Sequence, residues 1–288
     1  MTSSTSIREY KKHLEKELNS LYNTNESNSI INILLEFVTK YSKVDLILNQ
    51  ETQLIQKQFH FLESAITELK RNKPIQYIIG STQFYGLEFI VNPSVLIPRP
   101  ETEELVQWII NDTKNLKNIN ILDVGTGSGC IAISLANELS DANIYAIDVS
   151  IEAIETAKEN AEKNDVKIEF IVIDLFSNEM NNIINNKQII VSNPPYIPYS
   201  FMSKTNLNVL NFEPHNALFV NDNEPLLFYK RVLNLVKETN NKSECIIYFE
   251  IFEDLKDQLE KLCQDYNIKE VTFKKDINEK YRMLKCVF

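Results

Sequence analysis

Early in the chain, apolar residues recur at the three- and four-residue steps of a helix face. Ile7, Tyr10, Leu14, Leu18 and Leu21 form one such row. Ser29, a candidate N-cap, opens a second with Ile30, Ile31, Ile33, Leu34 and Leu35, and apolar residues run on to Tyr41. Residues 44–48 and 54–69 complete a small helical bundle that ends before Pro74. The pattern then changes. Gly80 is placed to cap a short helix, 84–91 reads as a β-hairpin around Gly86, and Pro100 suits the first turn of a helix. From residue 118, strands at 119–124, 143–147, 168–173, 188–192 and 245–251 interleave with helices at 131–139, 151–163, 226–237 and 255–266. Such alternation predicts a mainly parallel sheet covered on both faces. The last two strands, 271–273 and 283–287, lie too close for a helical crossover and should pair antiparallel. The expected fold class is α/β, with seven strands, a helical domain ahead of them and a hairpin between.

Composition narrows the picture. The chain has 288 residues, 43% of them apolar, which is enough for a large domain plus a small one. The net charge of -10 is a poor basis for gripping a phosphate backbone, so stable nucleic-acid binding is not expected. Cys130, Cys245, Cys263 and Cys286 form no Cys-x-x-Cys pair and read as core thiols of a reducing compartment. His13, His60 and His215 lack metal-ligand spacing. The polar start Met1-Thr2-Ser3-Ser4-Thr5 has no apolar run behind it, and no stretch approaches the roughly 18 apolar residues of a membrane span. A soluble, cytoplasmic protein is expected, with no membrane contact and no metal. The bundle itself carries no chemistry and reads equally well as a packing domain or as a recognition appendage.

The chemistry gathers at strand ends. The strand at 119–124 leads into Gly125-Thr126-Gly127-Ser128-Gly129 and directly into a helix. Alternate glycines let backbone approach a ligand with no Cβ in the way. The dinucleotide fingerprint needs a glycine at 130, where Cys130 stands, and no Gly-Lys-Ser/Thr follows for a phosphate loop. S-adenosylmethionine therefore fits better than a pyrophosphate cofactor. Asp148 ends the next strand, where an acid can accept from ribose hydroxyls. Asp174 ends the third, placed for an adenine amino group, with Leu175 and Phe176 to pack the ring. The fourth runs Ile189-Ile190-Val191-Ser192 and stops at Asn193-Pro194-Pro195-Tyr196. Two prolines remove two donors and fix two φ angles. What remains, the Asn193 side-chain oxygen and the Asn193 and Pro194 carbonyls, suits an –NH2 group. A plain turn is the alternative for that tetrapeptide alone, but its place on the same sheet edge as three acids and a glycine loop argues against coincidence.

These motifs resemble those of S-adenosylmethionine-dependent N-methyltransferases, and more narrowly the peptide chain release factor N5-glutamine methyltransferases. The narrower likeness rests on Pro74-Ile75-Gln76-Tyr77-Ile78-Ile79-Gly80, Phe84-Tyr85-Gly86-Leu87-Glu88-Phe89, Ile97-Pro98-Arg99-Pro100-Glu101-Thr102-Glu103 and Phe212-Glu213-Pro214. It implies a Rossmann-like seven-stranded methyltransferase sheet at 101–288, a linker at 74–100 and a release factor-docking bundle at 1–73. It further implies methylation of the glutamine in the Gly-Gly-Gln loop of class I release factors by a protein expected to be monomeric. Catalytic roles would fall to Asn193, Pro194 and Tyr196, with Tyr196 packed on the glutamine amide. Cofactor binding would fall to Gly125, Thr126, Gly127, Ser128, Gly129, Asp148, Asp174, Leu175 and Asn193, and substrate binding to Asn193, Pro194, Pro195, Tyr196 and Arg99. A nucleic-acid adenine methyltransferase and a non-catalytic cofactor-binding adaptor are the rival readings. The chain departs from the family's glycines at Asp222-Asn223-Glu224-Pro225, at Asn240-Asn241-Lys242-Ser243 and at Ile251. Asparagine tolerates left-handed backbone, so the first two departures are expected to be cheap.

Overall fold

The computed structural model describes residues 5–239 and 244–288, which leaves the turn read at 240–243 outside the described residues. The chain forms two compact units, Met1–Gly80 with Leu207–Phe212, and Ser81–Asn206 with Glu213–Phe288. The division falls inside the stretch read as a linker.

The first unit holds helices α1 (Ile7–Leu18), α2 (Thr24–Thr39), α3 (Lys43–Leu48), α4 (Gln56–Lys70) and α5 (Ile75–Ile79). Ser6 starts α1 through a capping box: its hydroxyl accepts from the Glu9 amide, and the Glu9 carboxylate accepts from the Ser6 amide. The buried row ends at Leu18, and Leu21 lies beyond the helix, exposed. The second helix also starts earlier than its apolar pattern suggests. Asn23 caps it by accepting from the Asn25 and Glu26 amides at 3.1 and 3.0 Å, and Ser29 sits inside the helix. The polar run Thr24-Asn25-Glu26 hides that first turn from any hydrophobic periodicity. Gly80 closes α5 in the left-handed conformation, as its position suggests.

The second unit begins with a hairpin, β1 (Ser81–Phe84) against β2 (Leu87–Ile90), turned by Tyr85 and Gly86 at φ 47° and 75°. Two consecutive positive φ values are the geometry of a tight hairpin whose twist matches its strands. Helix α6 (Pro100–Thr113) follows with Pro100 in its first turn. Then come β3 (Asn120–Val124), α7 (Cys130–Glu138), β4 (Asn143–Asp148), α8 (Ile151–Lys163) and β5 (Glu169–Val172). Next are α9 (Met180–Ile184), β6 (Ile189–Ser192), β7 (Ile197–Pro198) and β8 (Phe219–Val220), with α10 (Leu207–Phe212), a helix of the first unit, between the last two in the chain. The chain ends with α11 (Leu227–Glu238), β9 (Ile246–Glu250), α12 (Lys256–Asp265), β10 (Glu270–Lys275) and β11 (Tyr281–Val287). The elements not anticipated from the pattern, α9, α10 and the β7–β8 pair, have six residues or fewer, too few to show a period.

The seven-stranded sheet has the order β10-β11-β9-β6-β3-β4-β5. Its β5-β4-β3-β6-β9 core is parallel, and β11 runs antiparallel to both its neighbours. Side chains alternate between two cores. Ile121, Ile189, Val191 and Tyr248 face the cluster under α6 and α7, whereas Leu122, Val124, Ile190 and Phe249 face the cluster under α11 and α12. Burial on both faces is why these strands read as unbroken apolar runs. Strand β3 has its two parallel partners on opposite sides, which makes the β3–β6 junction the point where strand order reverses. Crevices at such a point take ligands outside the carboxyl ends of the strands.

Two expectations need correction. Asn223 is not left-handed; its turn is closed by the Asn221 side chain, which accepts from the Asn223 amide at 3.1 Å. Cys130 is only half-buried, although Cys245, Cys263 and Cys286 are core thiols, and all four are free. Ile251, in place of a glycine, is fully buried in the core.

Candidate active site

Register alone brings the site together. Val124 pairs with Ser192 and Ser192 with Phe249, so the next residues, Gly125, Asn193 and Glu250, stand level along one sheet edge. Val124 also pairs with Ile147, which sets Asp148 beside Gly125.

The loop after β3 is glycine-rich for two different reasons. Gly125 and Gly127 have φ of 76° and 54°, and a Cβ on either would meet nothing within 4 Å, because it would project into open cleft. Gly129 is a packing glycine: its Cβ would fall 2.9 Å from Ile133 Cδ1 and 3.1 Å from Ala157 Cβ. Asp148 is held by the loop it faces, since its carboxylate accepts from the Gly127 amide at 2.9 Å and from the Ser150 amide at 3.0 Å. Below the loop, Asp123 is fully buried and accepts from Thr126 Oγ1 at 2.7 Å. Burial pushes its carboxyl up to about 7, only partly offset by the Thr126 hydrogen bond. Asn160 of α8, also buried, donates to the Ser128 and Ile90 carbonyls and accepts from the Ile90 amide. It ties the loop to hairpin strand β2, and no pattern in the sequence singled it out.

The loop borders a cleft that is partly open to solvent. Gly125, Thr126, Gly127, Ser128, Asp148, Asp174, Leu175, Asn193, Pro194, Pro195 and Arg99 all contribute to it, whereas Gly129 and Tyr196 do not. Asp174 is steadied by the Phe176 amide, 2.9 Å from its Oδ1. Phe176 itself lies outside the lining; Phe228 of α11 contributes a ring to it and meets Phe176 edge to face. Among the described lining residues Arg99 is the one basic side chain, and its guanidinium is engaged by Glu213 at 2.6 Å. A cleft with two carboxylates, an apolar wall and no unpaired cation suits a cationic adenosyl ligand and not a pyrophosphate. S-adenosylmethionine, which carries a sulfonium and an ammonium, meets that donor set.

The other side of the cleft rests on buried acids. Glu213, 4% exposed, holds the Ile97-Pro98-Arg99 stretch by accepting from the Ile97 amide at 3.2 Å and from Arg99. Glu250, 2% exposed, accepts from Thr102 Oγ1 at 2.6 Å and from the Tyr196 hydroxyl at 3.1 Å, and the Tyr229 hydroxyl donates to its backbone carbonyl. Burial raises the Glu250 carboxyl above its ordinary value. Asn193 Nδ2 lies 3.4 Å from Thr102 Oγ1. The Tyr196 ring stacks on Phe252 at an interplanar angle of 4° and is not part of the cleft lining. Thr102 and Glu250 were not singled out as site residues. The signal for Glu250 was present: like Asp148 and Asn193, it is a polar residue ending a strand that is otherwise apolar.

Comparison with known proteins gives concordant results. Residues 9–80 match the PrmC N-terminal domain family, and residues 101–210 match the methyltransferase small domain family. A release factor glutamine methyltransferase of Flavobacterium psychrophilum is 45% identical over 98% of this chain and 99% of its own length. The enzyme of that name from Bacteroides thetaiotaomicron is 36% identical over 94% of this chain and 96% of its own. Among solved structures, a human Mettl16 catalytic domain in complex with an RNA hairpin superposes with a TM-score of 0.55 at 16% identity, over 88% of this chain and 90% of its own, a likeness of fold alone.

Proposed function

The chain belongs to the release factor glutamine methyltransferase family, and from that premise we propose that it methylates the side-chain amide nitrogen of the glutamine in the Gly-Gly-Gln loop of class I release factors. The observation that carries this reading is a single cleft lined on one side by the glycine loop, Asp148 and Asp174 and on the other by Asn193 and Pro194. S-adenosylmethionine, when bound, supplies an electrophilic methyl group on sulfur. The loop glycines, Asp148, Asp174, Leu175 and Phe228 would hold it. An amide nitrogen is a poor nucleophile because its lone pair is delocalised into the carbonyl. The Asn193 side-chain oxygen and the Pro194 carbonyl accept its two N–H groups, aim the nitrogen at the methyl and localise the lone pair. Alignment of this kind is worth up to roughly 7–11 kcal/mol. The proton leaves to solvent after transfer. Arg99 acts by holding the linker to Glu213, and Tyr196 by holding Glu250. The helical unit docks the factor, and the protein works as a cytoplasmic monomer; no described helix is long and apolar enough to cross a membrane. The net charge of -10 and the engagement of Arg99 disfavour a nucleic-acid substrate.

The test is incubation with labelled S-adenosylmethionine and a purified class I release factor, with the methyl located by mass spectrometry. Label on the glutamine of the Gly-Gly-Gln loop is expected. Label in nucleic acid with none in the factor would overturn the reading.

A further inference from the structure

Asn193, Thr102 and Glu250 come from three distant segments and form one hydrogen-bonded chain at the cleft wall. Asn193 Nδ2 is 3.4 Å from Thr102 Oγ1, which donates to Glu250 Oε2 at 2.6 Å, while the Tyr196 hydroxyl donates to Glu250 Oε1 at 3.1 Å. We propose that Thr102 and Glu250 are positioning residues that decide which end of the Asn193 carboxamide faces the substrate. A threonine hydroxyl has one proton and otherwise only accepts. With that proton committed to Glu250, Thr102 turns an acceptor to Asn193, so the Asn193 NH2 faces it and the carboxamide oxygen is left for the substrate. A glutamine nitrogen with two N–H donors requires that oxygen. The reversed asparagine would set N–H against N–H and leave both unsatisfied.

The neighbourhood is built to keep the arrangement in one state. Pro100 begins α6 and Glu213 anchors Ile97 and Arg99 just before it, so Thr102 is delivered to the cleft by a stretch tied down on both sides. The Tyr229 hydroxyl, 3.0 Å from the Glu250 carbonyl, fixes the end of β9. The charges facing Glu250 oppose each other: Glu101 of α6 favours its protonated form and Arg282 of β11 its ionised form, and burial, the largest effect, raises the carboxyl above its ordinary value. A protonated Glu250 can donate to Thr102, which then turns its own proton toward Asn193 and favours the reversed amide. Turnover at saturating substrates should therefore show an acid limb displaced above the ordinary carboxylate range, and Glu250→Gln should lack it.

The inference rests on the glutamine-methylation reading, and the experiment separates the two. Full-length wild type, Thr102→Val, Thr102→Ser, Glu250→Gln, Thr102→Val/Glu250→Gln and Asn193→Ala are assayed with S-adenosylmethionine and a class I release factor, with melting temperature and cofactor dissociation constant as controls. Thr102→Val should lose about 100-fold in kcat with cofactor affinity changed by less than about threefold, and Thr102→Ser should recover most of the loss. The double variant should be little worse than Thr102→Val, because both residues act through one link. A folded Thr102→Val with near wild-type kcat, beside an inactive Asn193→Ala, overturns the inference and leaves the methylation reading intact. Equal losses in the serine and valine variants would mark a packing role and also overturn it. An active Asn193→Ala overturns the inference and the Asn193 clamp while methylation is still seen, whereas a folded wild type that leaves the factor unlabelled overturns the methylation reading. Should Glu250→Gln fail to fold, the Thr102 pair decides.

Discussion

The two sides of the cleft are built by different means. On the cofactor side the working groups are close in sequence or meet through strand register, and backbone amides satisfy them: Asp148 by Gly127 and Ser150, Asp174 by Phe176. On the amide side the links run between side chains far apart along the chain: Arg99 to Glu213, Thr102 to Glu250, Asn193 to Thr102 and Tyr196 to Glu250. Backbone-held groups move little when one side chain is trimmed. A side-chain network with two buried carboxylates loses its geometry when any member goes. Substitutions on the first side should therefore change affinity, and those on the second should change turnover or stability.

Asp123 offers the severest test, because it is the one carboxyl on the cofactor side that is buried whole. Its carboxyl sits at about 7 against an ordinary 3.8, so the folded state holds the proton more tightly than the unfolded chain. The resulting stability is present below the ordinary value and is lost as pH rises toward about 7, at about 1.4 kcal/mol per unit. The melting temperature of wild type relative to Asp123→Asn should fall between about pH 4 and about pH 7 and level off above. A flat difference would mean that Asp123 is not the buried exception.

Next in size is Arg99→Met. It leaves Glu213 buried without its cation, at a cost of about 3 kcal/mol, the low end for a broken buried pair because Arg99 is itself about a third exposed. A melting point lower by about 5–10 °C, with cofactor affinity kept in the folded protein, is the expected reading. Asp148→Asn should do the converse. Losing a charged acceptor weakens cofactor binding by about 2 kcal/mol, roughly 30-fold, with little change in kcat at saturating cofactor. Tyr196→Phe should be mildest, at about 1 kcal/mol of stability and a few-fold in kcat, because the ring stays on Phe252 and only the hydroxyl on Glu250 is lost. A large loss of cofactor affinity in Tyr196→Phe would blur the division between the two sides.

The same division governs what could be read from the sequence. The alternating strands and helices, the glycine loop, the strand-end acids and the Asn-Pro-Pro-Tyr turn are local signals, and the fold and the cofactor side followed from them. On the amide side the Asn193 turn was legible from its own residues, but its support was legible only through resemblance: the linker containing Arg99 and Thr102 was noticed as a motif, with a physical reason for Pro100 and none for Thr102. The rest of the reason lies in Glu213 and Glu250, which no spacing rule connects to the linker. Tyr196 was read only as a ring for the substrate amide, and its ring on Phe252 and its hydroxyl on Glu250 were not foreseen. Asn160 and Phe228 escaped notice because one looks like any helix asparagine and the other like any core ring.

The central claim is that Asn193 serves the amide and not the cofactor. Asn193→Ala, measured both for S-adenosylmethionine binding by titration calorimetry and for methyl transfer to a class I release factor, tests it most directly. The account predicts a cofactor dissociation constant within about threefold of wild type and turnover lower by about 1000-fold or more. Methylation at the wild-type rate, or cofactor affinity falling in step with turnover, would contradict it.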